Sequence, residues 1–268
     1  MALTSTQRPI REGALLLLTV VLMGALCLPL WQWAASHDST GGEQWSRWTP
    51  ERIARLVIGP EQIACYGCFT WACLILFRRY VEVKRQQRAL RLGLLPTEEG
   101  VRILPEDARS LQRRVDQLSE RGGPYILSNM IRLALNKYAV SRSSQSVSET
   151  IRMQGEVDLG RLVSSMSLVH YLAWAIPAIG FLGTVRGLSG GLSMASKVNE
   201  ELATFIDQAT RHLTVAFDCT LIALALSLVL MLLVHIIQRD EESMVLDCQQ
   251  YCLEHLVNRL YELEPVLD

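Results

Sequence analysis

The sequence predicts an all-α integral membrane protein of about four transmembrane helices, with long helices extending into a cytoplasmic helical domain. Three observations predict this. Apolar residues gather in blocks at about 13–33, 56–77, 167–193 and 211–237, each long enough to cross a hydrocarbon core. A basic run, Arg78, Arg79, Lys84, Arg85, Arg88 and Arg91, follows the second block at once; positive charge beside a span stays on the cytoplasmic side. Half of the 268 residues are hydrophobic and the mean hydropathy is +0.20, too apolar for an ordinary soluble domain. The formal net charge of -1 hides a segregated distribution, and no nucleic-acid partner is predicted.

The elements follow in order. Residues 1–12 are polar. The first block, ALLLLTVVLMGALCLPLW, carries no charge and ends at Trp31 and Trp33, where amphipathic rings favour the headgroup region. It reads as a retained span, although Ala34-Ala35-Ser36 also fits a signal-peptide cleavage site. Residues 34–55 form a polar loop. The second span, 56–77, is interrupted early by Gly59-Pro60-Glu61, with Glu61 expected at the entry interface. Residues 1–77 thus form an N-terminal membrane region, and 78–166 a cytoplasmic helical domain.

That domain shows helical spacing at Leu111, Val115 and Leu118, and again from Ile126 through Met130 and Leu133 to Lys137. Gly122-Gly123-Pro124 breaks it. Ser141 to Ser148 is serine-rich and reads as a turn or flexible joint, with a long helix starting near Ser148. Residues 167–238 hold the two remaining spans, joined by a short loop at 196–210. In the C-terminal segment, 239–268, Leu246, Leu253, Leu256, Leu260 and Leu263 mark a seam on a helix running from about 211 to about 263. Both termini are expected in the cytoplasm.

The third span does not look like a simple lipid anchor. Gly183, Gly187 and Gly191 recur every four residues, a flat stripe that lets another helix approach closely. Pro177 removes a backbone donor near mid-membrane, tolerable where a neighbouring helix or water satisfies the freed carbonyl. Counting along the helices puts Thr184 about 12 Å from the outer end of its span and Thr220 at a similar depth in the next. Pro177 shares a face with Thr184, and Ser227 with Thr220. Arg186 and Asp218 are the charges inside these spans. Both count to about 10 Å from the outer surface; an ion pair between them, within one subunit or between neighbours, would offset two desolvation costs, and the alternative is that Asp218 titrates and relays protons from outside.

AIPAIGFLGTVRGL and AFDCTLIALALSL together resemble the MotA/TolQ/ExbB proton channel family. Pro177, Gly180, Gly183-Thr184-Val185, Gly187, Ala216-Phe217 and Thr220 carry the resemblance, which looks closer to the TolQ/ExbB branch. It implies a homopentamer in the bacterial inner membrane. The ring would surround a dimer of ExbD/TolR/MotB-like single-span partners that supply the essential aspartate. It also implies that Thr184 and Thr220 are pore threonines, and their shared faces assign Pro177 and Ser227 to the same proton pathway. Phe181 and Leu224, near those faces, are candidates for a hydrophobic constriction. Val215 stands where ExbB-type proteins carry a glutamate, and Arg186 where an aromatic residue is common.

The function expected is therefore that of a ring-forming subunit of a proton-driven motor or energy transducer. It is not an enzyme, and neither a cofactor nor a metal site is predicted. His170 and His235 read as interfacial polar residues, Cys65 and Cys68 as buried thiols, and Cys248, Cys252 and His255 as packing. Two alternatives differ in class. One is a non-conducting membrane scaffold. The other is an intramembrane serine protease, because Gly187-Leu188-Ser189-Gly190 resembles the rhomboid GxSG motif; it lacks a histidine at matching depth and a loop-to-helix elbow at Ser189.

Overall fold

The computed structural model describes Thr19, Val21, and residues 59–91, 93–95, 103–104, 106–193 and 202–261. The side chains of 118–122, 202–205, 207, 208 and 211 lie outside that description. The expected first span apart from Thr19 and Val21, the loop to 58, residues 196–201 of the connecting loop, and Leu263 fall outside the described residues.

Six α-helices are described: α1 Pro60–Leu90, α2 Ala108–Gly122, α3 Ile126–Ser141, α4 Ser144–Ser165, α5 Ser167–Ser193 and α6 Leu202–His255. A 3₁₀ turn, Val257–Arg259, follows. Among the described residues, two stretches are long and apolar enough to cross a membrane, Ser144–Ser193 and His212–Arg259. The chain divides into two compact units, one of Met1–Phe77 with Leu168–Val234, the other of Arg78–Ser167 with His235–Asp268.

Local chemistry explains the boundaries. Pro60 opens α1, where its missing N–H costs nothing, and Glu61 sits in the first turn, where the helix dipole favours an anion. Gly122 ends α2, and Gly123 follows at φ +89, a conformation that side chains resist. The N-terminus of α3 has no cap of its own at Tyr125. Buried Gln86 of α1 serves instead: its Oε1 accepts from Ile126 N at 2.9 Å while its Nε2 donates to Pro124 O at 3.2 Å.

The serine-rich stretch is a tight turn instead of a joint running to Ser148. Arg142 adopts the left-handed conformation at φ 52 and donates its N–H to Tyr138 O. The Ser143 side chain then accepts from Ser146 N, the arrangement that favours serine at a helix start. Helix α4 accordingly begins four residues earlier than expected, at Ser144.

The second unit has its own core. Helix α3 packs on both α2 and α4. It buries Leu127, Met130, Ile131, Ala134, Leu135 and Tyr138, so of the predicted Ile126–Met130–Leu133–Lys137 line Met130 lies in the core, Ile126 and Leu133 are half-buried and Lys137 is exposed. From the C-terminal part of α6 come Met244, Val245, Cys248 and Cys252, and Leu256 follows just beyond it. The leucine seam is thus corrected in part. Leu256 is buried but Leu246 is 55% exposed, and thiols occupy the contact face. Burial pushes the Cys248 thiol up to about 12, and raises Cys252 as well. Helix α6 stops at His255, not near 263. The chain then pairs with the segment after α1: Ile103 N donates to Arg259 O at 2.8 Å, and Tyr261 N to Ile103 O at 3.1 Å. The Tyr138 hydroxyl closes on this crossing, within reach of Ile103 O and Tyr261 O.

Arg79, one of the predicted cytoplasmic basic residues, is an internal strut of this unit. Its Nη1 pairs with Glu241 Oε1 at 2.9 Å and its Nη2 donates to Ser165 O. Glu241 is 4% exposed. Burial raises its carboxyl above the usual range, and Arg79 opposes the shift.

Candidate functional site: a hydroxyl pair between two helices

Small residues on both α5 and α6 make the site. A Cβ added to Gly180 would lie 2.3 Å from Ala223 Cβ, one at Gly183 would lie 2.5 Å from Cys219 Sγ, and one at Gly187 2.6 Å from Ala216 Cβ. Real side chains do not approach so closely, so the glycines are what lets α6 lie against α5. At Gly191 the space opens, with the nearest atom, His212 Cβ, at 3.6 Å. The stripe Gly183–Gly187–Gly191, extended inward by Gly180, therefore meets the returning helix of the same chain. Its counterpart, Ala216–Cys219–Ala223, recurs at helical spacing, a signal that the sequence reading passed over.

This close approach brings Thr184 and Thr220 into direct hydroxyl–hydroxyl contact. Four backbone distances surround them. Thr184 Oγ1 lies 3.3 Å from Gly180 O and 3.4 Å from Ala216 O; Thr220 Oγ1 lies 3.2 Å from Gly180 O and 3.5 Å from Ala216 O. Each hydroxyl has one hydrogen and two acceptor lone pairs. One threonine donates to the other, which donates in turn to a carbonyl, and the reverse direction uses the same atoms. The pair thus forms a short polar chain with two available polarities, and it leaves acceptor capacity over. Both threonines are half-buried in the single chain. The backbone-bonded arrangement typical of membrane threonines and the paired arrangement coexist here.

Pro177 and Ser227 also come together, through the backbone. Pro177 cannot donate to Ala173 O, its partner four residues back. Ser227 Oγ donates to that carbonyl at 3.2 Å. This is how the proline gap is satisfied. It also commits the Ser227 hydroxyl to a structural acceptor, whereas the sequence reading faced it toward a pore.

Within the chain, Arg186 takes a different acid from the expected Asp218. Arg186 Nη2 meets Glu61 Oε2 at 2.8 Å. The acid comes from the first turn of α1, and its side chain is 13% exposed, so Glu61 is not simply an interfacial residue. Depth counting placed Arg186 and Asp218 at one level but could not see that α1 supplies an acid to Arg186. Asp218 is half-buried on α6. The signal that could have found Glu61 is an acid within an otherwise apolar block, which normally seeks a protein partner. Helix α1 is held to α5 at a second point, where Cys65 Sγ approaches Ile176 O at 3.6 Å.

The remaining sequence candidates lie elsewhere. Phe181 and Leu224 are exposed, at 65% and 51%. His170 and His235 are exposed as well. Ser189 is exposed within continuous helix α5, so the strand-to-helix elbow of a serine hydrolase is not present there. Among the described residues, no cluster of three His, Cys, Asp or Glu is arranged to hold a metal ion.

Residues 124–250 match the model of the MotA/TolQ/ExbB proton channel family, which assigns no branch. No curated protein and no solved structure matches the chain.

Proposed function

From the premise that this chain, through residues 124–250, is a member of the MotA/TolQ/ExbB proton channel family, we propose that it is the ring-forming subunit of a proton-driven energy transducer in a bacterial inner membrane. Family membership and the two apolar stretches make it a membrane protein. The finer reading is a homopentamer of four-span subunits with cytoplasmic termini. It encloses a single-span partner dimer whose helix brings an acidic side chain to Thr184 and Thr220.

One observation carries this reading. Two threonines from different helices, 36 residues apart in sequence, meet hydroxyl to hydroxyl where Gly180, Gly183, Ala216 and Cys219 bring the helices close. A protonated partner carboxyl is neutral and can pass an apolar wall such as Phe181 and Leu224. Once ionised it needs donors, and the hydroxyl chain can turn a hydrogen toward it. Uptake and release of each proton would permit one step of the ring relative to the partner. A charge crossing the membrane is worth about 2.3 kcal/mol per 100 mV, so modest barriers suffice.

The test is co-purification of the chain with a single-span, aspartate-bearing partner, followed by proton flux in vesicles containing both. Flux that needs both proteins and is lost in Thr184→Val is the expected result. A ring that assembles with its partner yet passes no protons under an applied potential would favour the scaffold alternative and sink this one.

A further inference from the structure

Glu61 touches α5 on both sides of Thr184. Its Oε2 takes the guanidinium of Arg186, two residues beyond the threonine, at 2.8 Å. Its Cγ lies 3.3 Å from where a Cβ would stand on Gly183, the residue just before the threonine. The same Gly183 position faces Cys219 Sγ at 2.5 Å, and Cys219 precedes Thr220. Gly183 is thus the point at which α1, α5 and α6 converge, and the absence of a side chain there admits an acid from one neighbour and a thiol from the other.

We propose that Glu61 is a positioning residue for the Thr184–Thr220 pair, fixing the rotation of α5 about its own axis. The proposal rests on the hydroxyl pair being the working site, as argued above, and assigns α1 a part in it. The glycine notches of α5 seat Ala216, Cys219 and Ala223 and set how closely α6 lies, but they set no hydrogen-bond angle at Thr184. Side chains project well beyond the ~2.3 Å radius of the Cα cylinder, so a small roll displaces a hydroxyl by more than a hydrogen bond tolerates. Apolar contacts are not directional and do not prevent this. A charge-assisted bond is directional and strong where water is scarce. The Glu61 grip combines such a bond at 186 with steric contact at 183, so it restrains both rotation and close approach at the turn that carries Thr184. Arg186 keeps 59% of its side chain exposed, whereas Glu61 is enclosed. Removing Arg186 therefore leaves a largely buried acid without its cation, and removing the acid frees the helix to roll.

The experiment uses the full chain purified in detergent and, separately, reconstituted with its partner. Thermal unfolding midpoints are measured for the wild type, Glu61→Gln, Thr184→Val and the double variant. If Glu61 acts through Thr184, the downward shift caused by Glu61→Gln falls to less than half once Thr184 is already valine, because the contact it positions is gone. Shifts that simply add would mean that Glu61 only fastens α1 to α5, and would overturn the proposal. In vesicles, Glu61→Gln lowers flux at least tenfold while Arg186→Lys, which keeps the cation, stays within threefold of wild type. Unchanged flux in Glu61→Gln would likewise overturn it. A wild-type chain that conducts nothing defeats the proposed function, and the unfolding cycle then decides this inference independently.

Discussion

Ser227 donates to the carbonyl of Ala173, the acceptor that Pro177 leaves without its helical partner. A hydroxyl on α6 thereby completes the hydrogen bonding of α5. In a membrane segment an orphaned carbonyl finds no water to replace the missing bond. The proline break is therefore tolerated because the helix packed against it carries serine at that one position.

Ser227→Ala is expected to cost about 1 kcal/mol, in the range of interhelical hydrogen bonds in membranes, and to lower the unfolding midpoint measurably. Pro177→Ala supplies the missing N–H to Ala173 O. In that background, Ser227→Ala is expected to have less than half its effect. A calorimetric or circular-dichroism melt of the four proteins checks this.

The glycines are predicted to differ sharply. Gly180→Ala and Gly187→Ala place a methyl within 2.6 Å of Ala223 Cβ and Ala216 Cβ respectively. Each should destabilise by about 1–3 kcal/mol, the usual cost of overpacking. Gly191→Ala meets its nearest atom at 3.6 Å and should leave the melting temperature unchanged. Equal sensitivity at all three positions would contradict the packing described.

Thr184→Val and Thr220→Val keep shape but remove the hydroxyl. Each should abolish proton flux with little loss of folded protein, while Thr184→Ser and Thr220→Ser, which keep a donor and acceptor, should retain a substantial fraction. Flux in vesicles, read beside the yield of intact oligomer on a sizing column, separates the chemical loss from an assembly defect.

Asp158 supplies a pH test in the second unit. It is 7% exposed on α4, accepts from Gln154 Nε2 at 2.9 Å, and has Arg161 at 3.7 Å. Burial raises its carboxyl above the usual carboxylate range, with Gln154 and Arg161 opposing. A group that holds its proton to higher pH in the folded state binds more protons folded than unfolded. Its stabilising effect is full below the unfolded value, ~4, and is lost as pH rises through the folded value. Asp158→Asn, whose carbonyl still accepts from Gln154, should flatten the fall in melting temperature across that window and raise stability at pH 7. Melts from pH 4 to 7.5 measure the slope in both proteins.

Cys248 and Cys252 are 1% and 0% exposed, with thiols raised by burial. Thiolate is the reactive form, so neither should take up iodoacetamide at pH 8 in the native chain. Both should label once the protein is denatured. Mass spectrometry of the peptides reads this directly.

The sequence alone determined the helical class, because the apolar blocks and helical periodicities admit little else, and it singled out the segment holding Thr184 and Thr220. Spacing along each helix also placed those two hydroxyls at one depth, since rise per residue is constant. The glycine stripe was visible as a surface meant for close approach. Only the tertiary structure decided what fills it: the Ala216–Cys219–Ala223 row of the same chain. It also decided that Arg186 turns to Glu61, because depth along one helix says nothing about which neighbour lies beside it. The C-terminal seam shows the same limit. A leucine-spaced line and a thiol-bearing line both fit a helix, and the three-dimensional partner chose Cys248 and Cys252 over Leu246. Periodicity fixes a helix and its depth; the angle at which each face meets another element is set by packing among residues far apart in the chain.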